Sequence, residues 1–304
     1  MSWSEDAIHR WLSSRERPSV LAGSRGHDAA VLRKIRHRPV LCVDQTIEGI
    51  HFERTSAPAL VGHKAAARAL SDLAATAARP LAILVALSAP RDRSEAWIRS
   101  VLAAARAAAR SFGADLVGGD LACTPGPACL SVTAVGERPG RRPAPGRDRA
   151  RPGQIVVLTG PVGGSRLGRH LRVRPRVRAG EQLFSLGATA MMDVSDGLAW
   201  DLHRLARASG VRIDLDLASV PVHPDARASE RRDGRNALHH ALHDGEDHEL
   251  VATLPARRVA LARGRIRGLT RIGRVSRGSG LWLHAPRGKP VRWKPSSGGW
   301  KHGA

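Results

Sequence analysis

The sequence predicts a mixed α/β protein of two domains, and three observations support this fold class. Short apolar segments typical of strands alternate along the chain with longer segments of helical periodicity. The chain has 304 residues, of which 42% are apolar, so it can bury one large or two medium cores. Residues 137–153 are rich in Pro, Gly and Arg, and such a stretch cannot continue a helix or a sheet for long. We place the boundary at Arg147, giving an N-terminal domain (1–147) and a C-terminal domain (148–304).

The N-terminal domain is expected to hold three strands and two long helices after a short first helix. The strands are predicted at 40–43, 81–87 and 129–135, and the helices at 59–78 and 94–112. Pro80 lacks an amide hydrogen and should end the first long helix, and Gly113 should end the second. The pair Gly118-Gly119 before Asp120 is predicted to form a turn.

The C-terminal domain is expected to be richer in strands. Strands are predicted at 155–158, 213–217, 250–254, 271–275 and 281–284. A glycine-rich turn is predicted at 160–164, and a helix at 198–208.

The strong positive charge raises nucleic-acid binding as one class of function. The chain carries 49 basic and 27 acidic residues, a net charge of +22, and such an excess attracts polyanions. The basic residues are almost all arginine and are spread along the chain, without a helix-turn-helix, a zinc-finger pattern or any tyrosine. An arginine-biased composition is therefore favoured, and a noncatalytic basic protein that binds nucleic acid stays open as an alternative.

Other broad classes are not favoured by the sequence. No segment approaches the roughly 18 continuous apolar residues of a membrane span, and the first ten residues lack a signal pattern, so we expect a cytoplasmic protein without a membrane partner. The cysteines at 42, 123 and 129 are odd in number and far from zinc-ligand spacing. They predict neither a disulfide framework nor a zinc site.

Several aspartates stand at the ends of the predicted elements. They lie in the segments 26–31, 43–44, 70–72, 118–120 and 193–197. Each alone is typical of a turn or a helix start, but Mg²⁺ prefers carboxylate oxygens and takes one or two per ion. Several scattered carboxylates therefore suggest several ions, which suits a reaction in which metals neutralise two phosphate groups that must meet.

These segments, in their order, resemble the motifs of thiamine-monophosphate kinase, a family of the aminoimidazole ribonucleotide synthetase-like superfamily. The resemblance is carried by Gly-His-Asp-Ala-Ala-Val at 26–31, Val-Asp-Gln-Thr-Ile-Glu-Gly-Ile-His-Phe at 43–52 and Ala-Leu-Ser-Asp-Leu-Ala-Ala at 69–75. It continues with Gly-Gly-Asp at 118–120, Asp-Val-Ser-Asp-Gly at 193–197 and Gly-Glu-Asp-His-Glu-Leu at 245–250. The ordered combination covers nearly the whole chain.

The resemblance implies an ATP-dependent phosphorylation of thiamine monophosphate to thiamine diphosphate, with Mg²⁺ as cofactor and ATP as co-substrate. It implies six magnesium ligands: Asp28, Asp44, Asp72, Asp120, Asp193 and Asp196. It places Gly119, Asp120, Arg147 and Ser195 at ATP, with Asp120, Arg147 and Asp196 in catalytic roles. It places His51, Glu246 and Trp300 at thiamine monophosphate. It also implies an N-terminal sheet that forms a homodimer interface and a C-terminal α/β domain, with no specific nucleic acid as partner.

A few residues depart from the family pattern. His27 replaces an acid, Cys42 and Val43 replace hydroxyl residues, Gly164 replaces an aspartate and His248 replaces a tyrosine. The missing hydroxyls predict a raised magnesium requirement with chemistry retained. Another ATP-dependent synthetase of the superfamily stays open as an alternative, and Glu246 with Trp300 favours the kinase.

Overall fold

The chain folds into two compact units in the computed structural model, which describes residues 4–15, 18–22 and 29–298. Unit 1 consists of residues 1–73, 78–141 and 171–173, and unit 2 consists of residues 74–77, 142–170 and 174–304. The main division therefore falls after Arg141, shortly before the boundary expected at Arg147.

Unit 1 is built around a four-stranded sheet. Its strands are β1 (Arg38–Ile47), β2 (Arg79–Ala89), β3 (Asp115–Cys123) and β4 (Cys129–Arg138), and the helices in this part of the chain are α1 (Glu5–Ser13), α2 (Pro58–Ala75) and α3 (Glu95–Ser111). The strand order is β1-β4-β2-β3, with β2 and β3 parallel and the other pairs antiparallel.

Local sequence explains the helices and the two faces of this sheet. The side chain of Ser94 accepts a hydrogen bond from the amide of Trp97 and so caps α3. The alanine-rich helix α2 is almost entirely buried, because alanine lets a helix approach its neighbours closely. Along β1, exposed and less exposed residues alternate, as expected for a strand covered on one face only.

Two predicted boundaries in unit 1 are wrong. The segment Gly118-Gly119-Asp120 is not a turn but lies inside β3, paired with β2. Helix α2 ends at Ala75 instead of residue 78, because Ala77 adopts a left-handed backbone with φ of 56°. Pro80 lies near the start of β2, where a bulge interrupts the pairing register.

Unit 2 contains a seven-stranded sheet with the order β11-β10-β7-β9-β5-β8-β6. The strands are β5 (Gln154–Leu158), β6 (Met191–Asp193), β7 (Arg212–Asp216), β8 (Leu250–Pro255), β9 (Thr270–Ser276), β10 (Gly280–His284) and β11 (Val291–Arg292). The helices are α4 (Val177–Ser185), α5 (Leu198–Ser209), α6 (Pro224–Asp233), α7 (Ala237–His243) and α8 (Val259–Arg265).

The periodicity of the sequence revealed only α5 among these helices. Helix α6 carries almost no apolar residues, and α7 and α8 span only seven residues each, so none of them gives a sustained apolar stripe. Strands β5 and β8 are almost fully buried and were predicted correctly as short apolar runs. No helix in the described residues is long and apolar enough to cross a membrane.

Candidate active site

A tight turn after β6 brings three of the predicted site residues of unit 2 together. Asp193 is the last residue of β6, and Ser195 and Asp196 follow before α5 begins at Leu198. The carboxylate of Asp201, one turn into α5, accepts the backbone N–H groups of Ser195 at 3.0 Å and Asp196 at 3.1 Å, both on Oδ2. The fully buried Asp201 therefore fixes the backbone of this turn.

Negative charge is concentrated at this turn. Burial, together with the charges of Asp196 and Asp193, raises the pKa of Asp201 well above its usual range. The guanidinium of Arg204 forms an ion pair with Asp196 and lies 3.7 Å from Asp201. Mg²⁺ prefers carboxylate oxygens and takes one or two of them from the protein, so Asp193 and Asp196 have the chemistry that a divalent cation requires.

A second acidic segment, 244–249, holds the glycine-rich turn that was predicted at 160–164. Asp244 accepts the N–H of Gly164 at 2.8 Å, and Asp247 accepts the N–H of Gly163 at 2.9 Å. Glu249 accepts the hydroxyl of Thr159 at 2.5 Å. Three carboxylates thus organise this turn, and sequence reasoning assigned none of them a role.

Ion pairs anchor the short segment that follows the glycine-rich turn. Arg169 donates to Asp247 and to the carbonyl of Gly163, each at 2.8 Å, and Arg176 pairs with Glu249. Burial raises the pKa of Asp247 to about 6, although the charge of Arg169 opposes the shift. Gly164 has a φ of 72°, and a Cβ there would lie 2.2 Å from the backbone of Asp225, so the aspartate of the family pattern has no room at this position.

The predicted substrate residue Glu246 lies against the turn after β6. Its N–H donates to the carbonyl of Ser195 at 2.7 Å, and its carboxylate lies 3.4 Å from Nδ1 of His170. Glu246 and His248 both have left-handed backbone, with φ values of 51° and 52°. Such conformations are uncommon outside glycine and are often retained at functional sites.

In unit 1, Asp44 and Asp72 lie on the side of the sheet that faces α2. Asp44 pairs with Arg68 of α2 at 3.1 Å, and Cys42 on the same face of β1 donates to the carbonyl of Ala69 at 3.1 Å. Asp72 is half-buried on α2. Val43 is 64% exposed on the opposite face of β1 from Asp44, so a hydroxyl at position 43 would point away from that carboxylate.

Asp120 lies far from Asp44 within one chain. The register aligns Asp44, Val132, Val85 and Gly119 across the four strands, which places β1 and β3 at opposite edges, about 14 Å apart at the usual strand spacing. Asp120 pairs with the exposed Ala86 and is itself exposed, so it lies on the outer face. Asp44 and Asp120 of one chain therefore cannot bind the same ion.

The packing of β3 against β2 requires a glycine at position 119. A Cβ there would lie 1.9 Å from the carbonyl oxygen of Val85, so only glycine lets β3 approach β2 at this point.

His51 lies in a tight turn whose side chains are well anchored. Its Nδ1 accepts the N–H of Ile47 at 3.0 Å, which leaves the ring proton on Nε2. The fully buried Lys64 of α2 donates to the carbonyl of His51 at 2.5 Å. His51 as a whole is only 8% exposed, so little of it is accessible to a substrate in this structure.

The remaining predicted site residues have less defined surroundings. Arg147 is exposed, and its carbonyl accepts the hydroxyl of Ser209 at 2.8 Å. Asp28 and Trp300 lie outside the described residues. Within residues 4–15, 18–22 and 29–298, no group of three or more His, Cys, Asp and Glu side chains is arranged to hold a metal ion.

The similarity of this chain to known proteins agrees with the two-unit architecture. Residues 26–138 match the family model of the AIR synthase related protein N-terminal domain, and residues 158–281 match that of the C-terminal domain. Thiamine-monophosphate kinase of Rhodopirellula baltica is 35% identical over 305 residues, covering 95% of this chain and 94% of that protein.

Solved structures resemble the fold closely. A complex described as AaThiL with AMPPCP and TMP has a TM-score of 0.79 at 30% identity and covers 98% of this chain and 95% of its own. Thiamine-monophosphate kinase from Stenotrophomonas maltophilia has a TM-score of 0.78 at 34% identity, with 94% and 98% covered. With both domain models matched and such identity over nearly its full length, the chain belongs to the AIR synthase related proteins and, within them, to the thiamine-monophosphate kinase family.

Proposed function

We propose that this protein transfers the γ-phosphoryl group of ATP to the phosphate of thiamine monophosphate and so forms thiamine diphosphate. The observation that carries the proposal is the turn after β6, where Asp193, Ser195 and Asp196 are held against Glu246 by Asp201 and by the backbone of 246–248. The relatives named thiamine-monophosphate kinase and the AaThiL complex with AMPPCP and TMP support the same activity.

Magnesium is part of this proposal. Asp193 and Asp196 of unit 2 and Asp44, Asp72 and Asp120 of unit 1 are the described residues that would hold the ions, joined by Asp28. When bound, magnesium would neutralise phosphate charge during transfer. The acceptor phosphate is already anionic, so no side chain needs to act as a strong general base.

The remaining assignments follow the chemistry of ATP and the acceptor. Ser195 and Arg147 would contact phosphate oxygens, because a hydroxyl and a guanidinium both donate to them. Gly119 has no side chain, so its backbone would approach the ATP phosphates closely beside Asp120. His51, Glu246 and Trp300 would contact thiamine monophosphate.

The direct test is an assay of the purified protein with ATP, Mg²⁺ and thiamine monophosphate. We expect thiamine diphosphate to form in proportion to the ADP released. ATP hydrolysis without thiamine diphosphate would favour another ATP-dependent reaction of the superfamily, and absence of both with salt-sensitive retention on DNA would favour a noncatalytic nucleic-acid binder.

A homodimer is also proposed, formed through the outer face of the sheet in unit 1. On this face Leu41 and Val43 of β1 are 66% and 64% exposed, and large apolar side chains exposed side by side are typical of a covered interface. Asp120 lies on the same outer face, so a second copy packed on this face would approach it.

We predict that Leu41→Arg converts the dimer to a monomer, because an arginine on each copy would bury unpaired charge at the interface. Light scattering or sedimentation should show about half the wild-type mass. Val291→Arg is the matched control, since Val291 is likewise 65% exposed but belongs to β11 in the other sheet, that of unit 2. A wild type that is monomeric and fully active would contradict the proposal.

We also predict that Trp300→Ala raises the KM for thiamine monophosphate more than the KM for ATP. A flat aromatic face attracts a cationic ring, and loss of such a contact is worth about 0.5–2 kcal/mol, or roughly 2- to 30-fold in binding. Steady-state kinetics with each substrate varied in turn measure both constants. Equal increases in the two would contradict the assignment of Trp300.

A further inference from the structure

The side chain of His248 makes a buried contact with Asp193. Its Nδ1 lies 2.9 Å from Oδ2 of Asp193, and the two residues are 2% and 4% exposed. An ionised carboxylate can only accept, so with Asp193 ionised the Nδ1 of His248 carries the proton and donates. Hydrogen bonds to a charged acceptor that is shielded from water are among the stronger ones in proteins.

His248 lies in an energetically unfavourable environment. Its Nε2 is buried and has no hydrogen-bond partner among the described residues, and its backbone is left-handed with φ of 52°. Both features cost stability, and a residue kept under such strain points to a role beyond packing.

The backbone around both residues is fixed as well. The N–H of His248 donates to the carbonyl of Val194 at 2.9 Å, and the N–H of Val194 donates to the carbonyl of Glu249 at 2.8 Å. The backbone segments around Asp193 and His248 are therefore already joined by hydrogen bonds, so the side-chain contact between them adds little to the stability of the fold. What it does determine is the rotation of the Asp193 carboxylate.

We propose that His248 is a positioning residue for Asp193, holding its carboxylate in the orientation in which it takes part in metal binding. This inference rests on the metal role of Asp193 in the proposed function. Hydrogen-bond partners of metal ligands commonly matter because they fix the orientation of the ligand.

Substitutions can separate the donor at Nδ1 from the rest of the ring. The amide nitrogen of asparagine lies where Nδ1 lies, and asparagine tolerates left-handed backbone. The amide nitrogen of glutamine corresponds instead to Nε2, and leucine removes both nitrogens. We therefore compare His248→Asn, His248→Gln and His248→Leu with the wild type.

The probe is Mn²⁺, titrated into the full chain in the presence of a nonhydrolysable ATP analogue and followed by electron paramagnetic resonance of the free ion. We expect His248→Leu and His248→Gln to weaken Mn²⁺ binding by about tenfold, at the lower end of what loss of such a partner causes. His248→Asn should bind Mn²⁺ as the wild type does.

Two further variants complete the test. His284→Leu is the matched control, because His284 makes a comparable 2.7 Å contact with Asp214 elsewhere in unit 2, and it should leave Mn²⁺ binding unchanged. Asp193→Asn should weaken binding at least as much as His248→Leu.

Different outcomes overturn different statements. Wild-type Mn²⁺ affinity in both His248→Leu and His248→Gln, with Asp193→Asn weakened, would overturn the inference and leave the proposed function standing. Equal losses in the asparagine and glutamine variants would overturn it too, as would the same loss in His284→Leu. Unchanged binding in Asp193→Asn would instead remove Asp193 from the metal site. If His248→Leu does not fold, the test rests on the comparison of His248→Asn with His248→Gln.

Discussion

Asp120→Asn is expected to lower the turnover number by at least about 100-fold, the loss typical of removing one electrostatic contact from a transition state. The substitution keeps the shape of the side chain but replaces a charged carboxylate by a neutral amide, which is a poorer ligand for the proposed magnesium ion. Because Asp120 is exposed on β3 within one chain, the free energy of unfolding of the single chain should change by less than about 0.5 kcal/mol. Steady-state kinetics and denaturant unfolding measure the two effects separately.

Asp115→Asn is the control for this variant, because Asp115 lies on the same strand and pairs with Arg106 and Arg110. It should lose some stability and keep its turnover number. Activity close to that of the wild type in Asp120→Asn, with the protein folded, would remove Asp120 from the site.

Asp201→Ala is expected to lower the free energy of unfolding by about 2–6 kcal/mol, because it leaves one buried and one partly buried N–H group without an acceptor at roughly 1–3 kcal/mol each. Turnover should fall with it, since Ser195 and Asp196 lose the group that fixes their backbone. Both N–H groups donate to Oδ2 alone, so Asp201→Asn can offer its amide oxygen in that place. We therefore expect Asp201→Asn to be far more stable than Asp201→Ala.

The raised pKa of Asp201 also predicts that the stability of the protein depends on pH. In the folded protein, burial and the neighbouring charges of Asp196 and Asp193 raise the pKa of Asp201 above that of an unfolded aspartate. Folding thus favours the protonated form, and the stabilisation is fully present below the unfolded pKa and is lost as the pH rises through the folded one.

Asparagine does not titrate, so the stability of the wild type relative to Asp201→Asn should fall with rising pH. Denaturant unfolding of both proteins at several pH values measures this difference. A difference that stays constant with pH would contradict the shift, and an Asp201→Ala variant as stable as the wild type would contradict the role of Asp201 in the turn.

The fold class and most of the strands could be predicted from the sequence, because buried strands leave short apolar runs between breaking residues. Strands β5 and β8 were predicted almost to their ends for this reason. Helices α6, α7 and α8 were missed, since they are short or polar and owe their stability to packing within unit 2. The motif order also indicated the family, which the domain matches confirm.

Which acidic residues lie close together could not be predicted from the sequence and depends on the tertiary fold. Asp201, Asp244, Asp247 and Glu249 look in the sequence like ordinary acids of a helix or a loop, yet they accept the hydrogen bonds that shape two turns of unit 2. Conversely, Asp44 and Asp120 belong to one set of motifs but lie on opposite edges and opposite faces of one sheet. Strand order and register are set by long-range pairing, and they cannot be predicted from the spacing of the motifs along the chain.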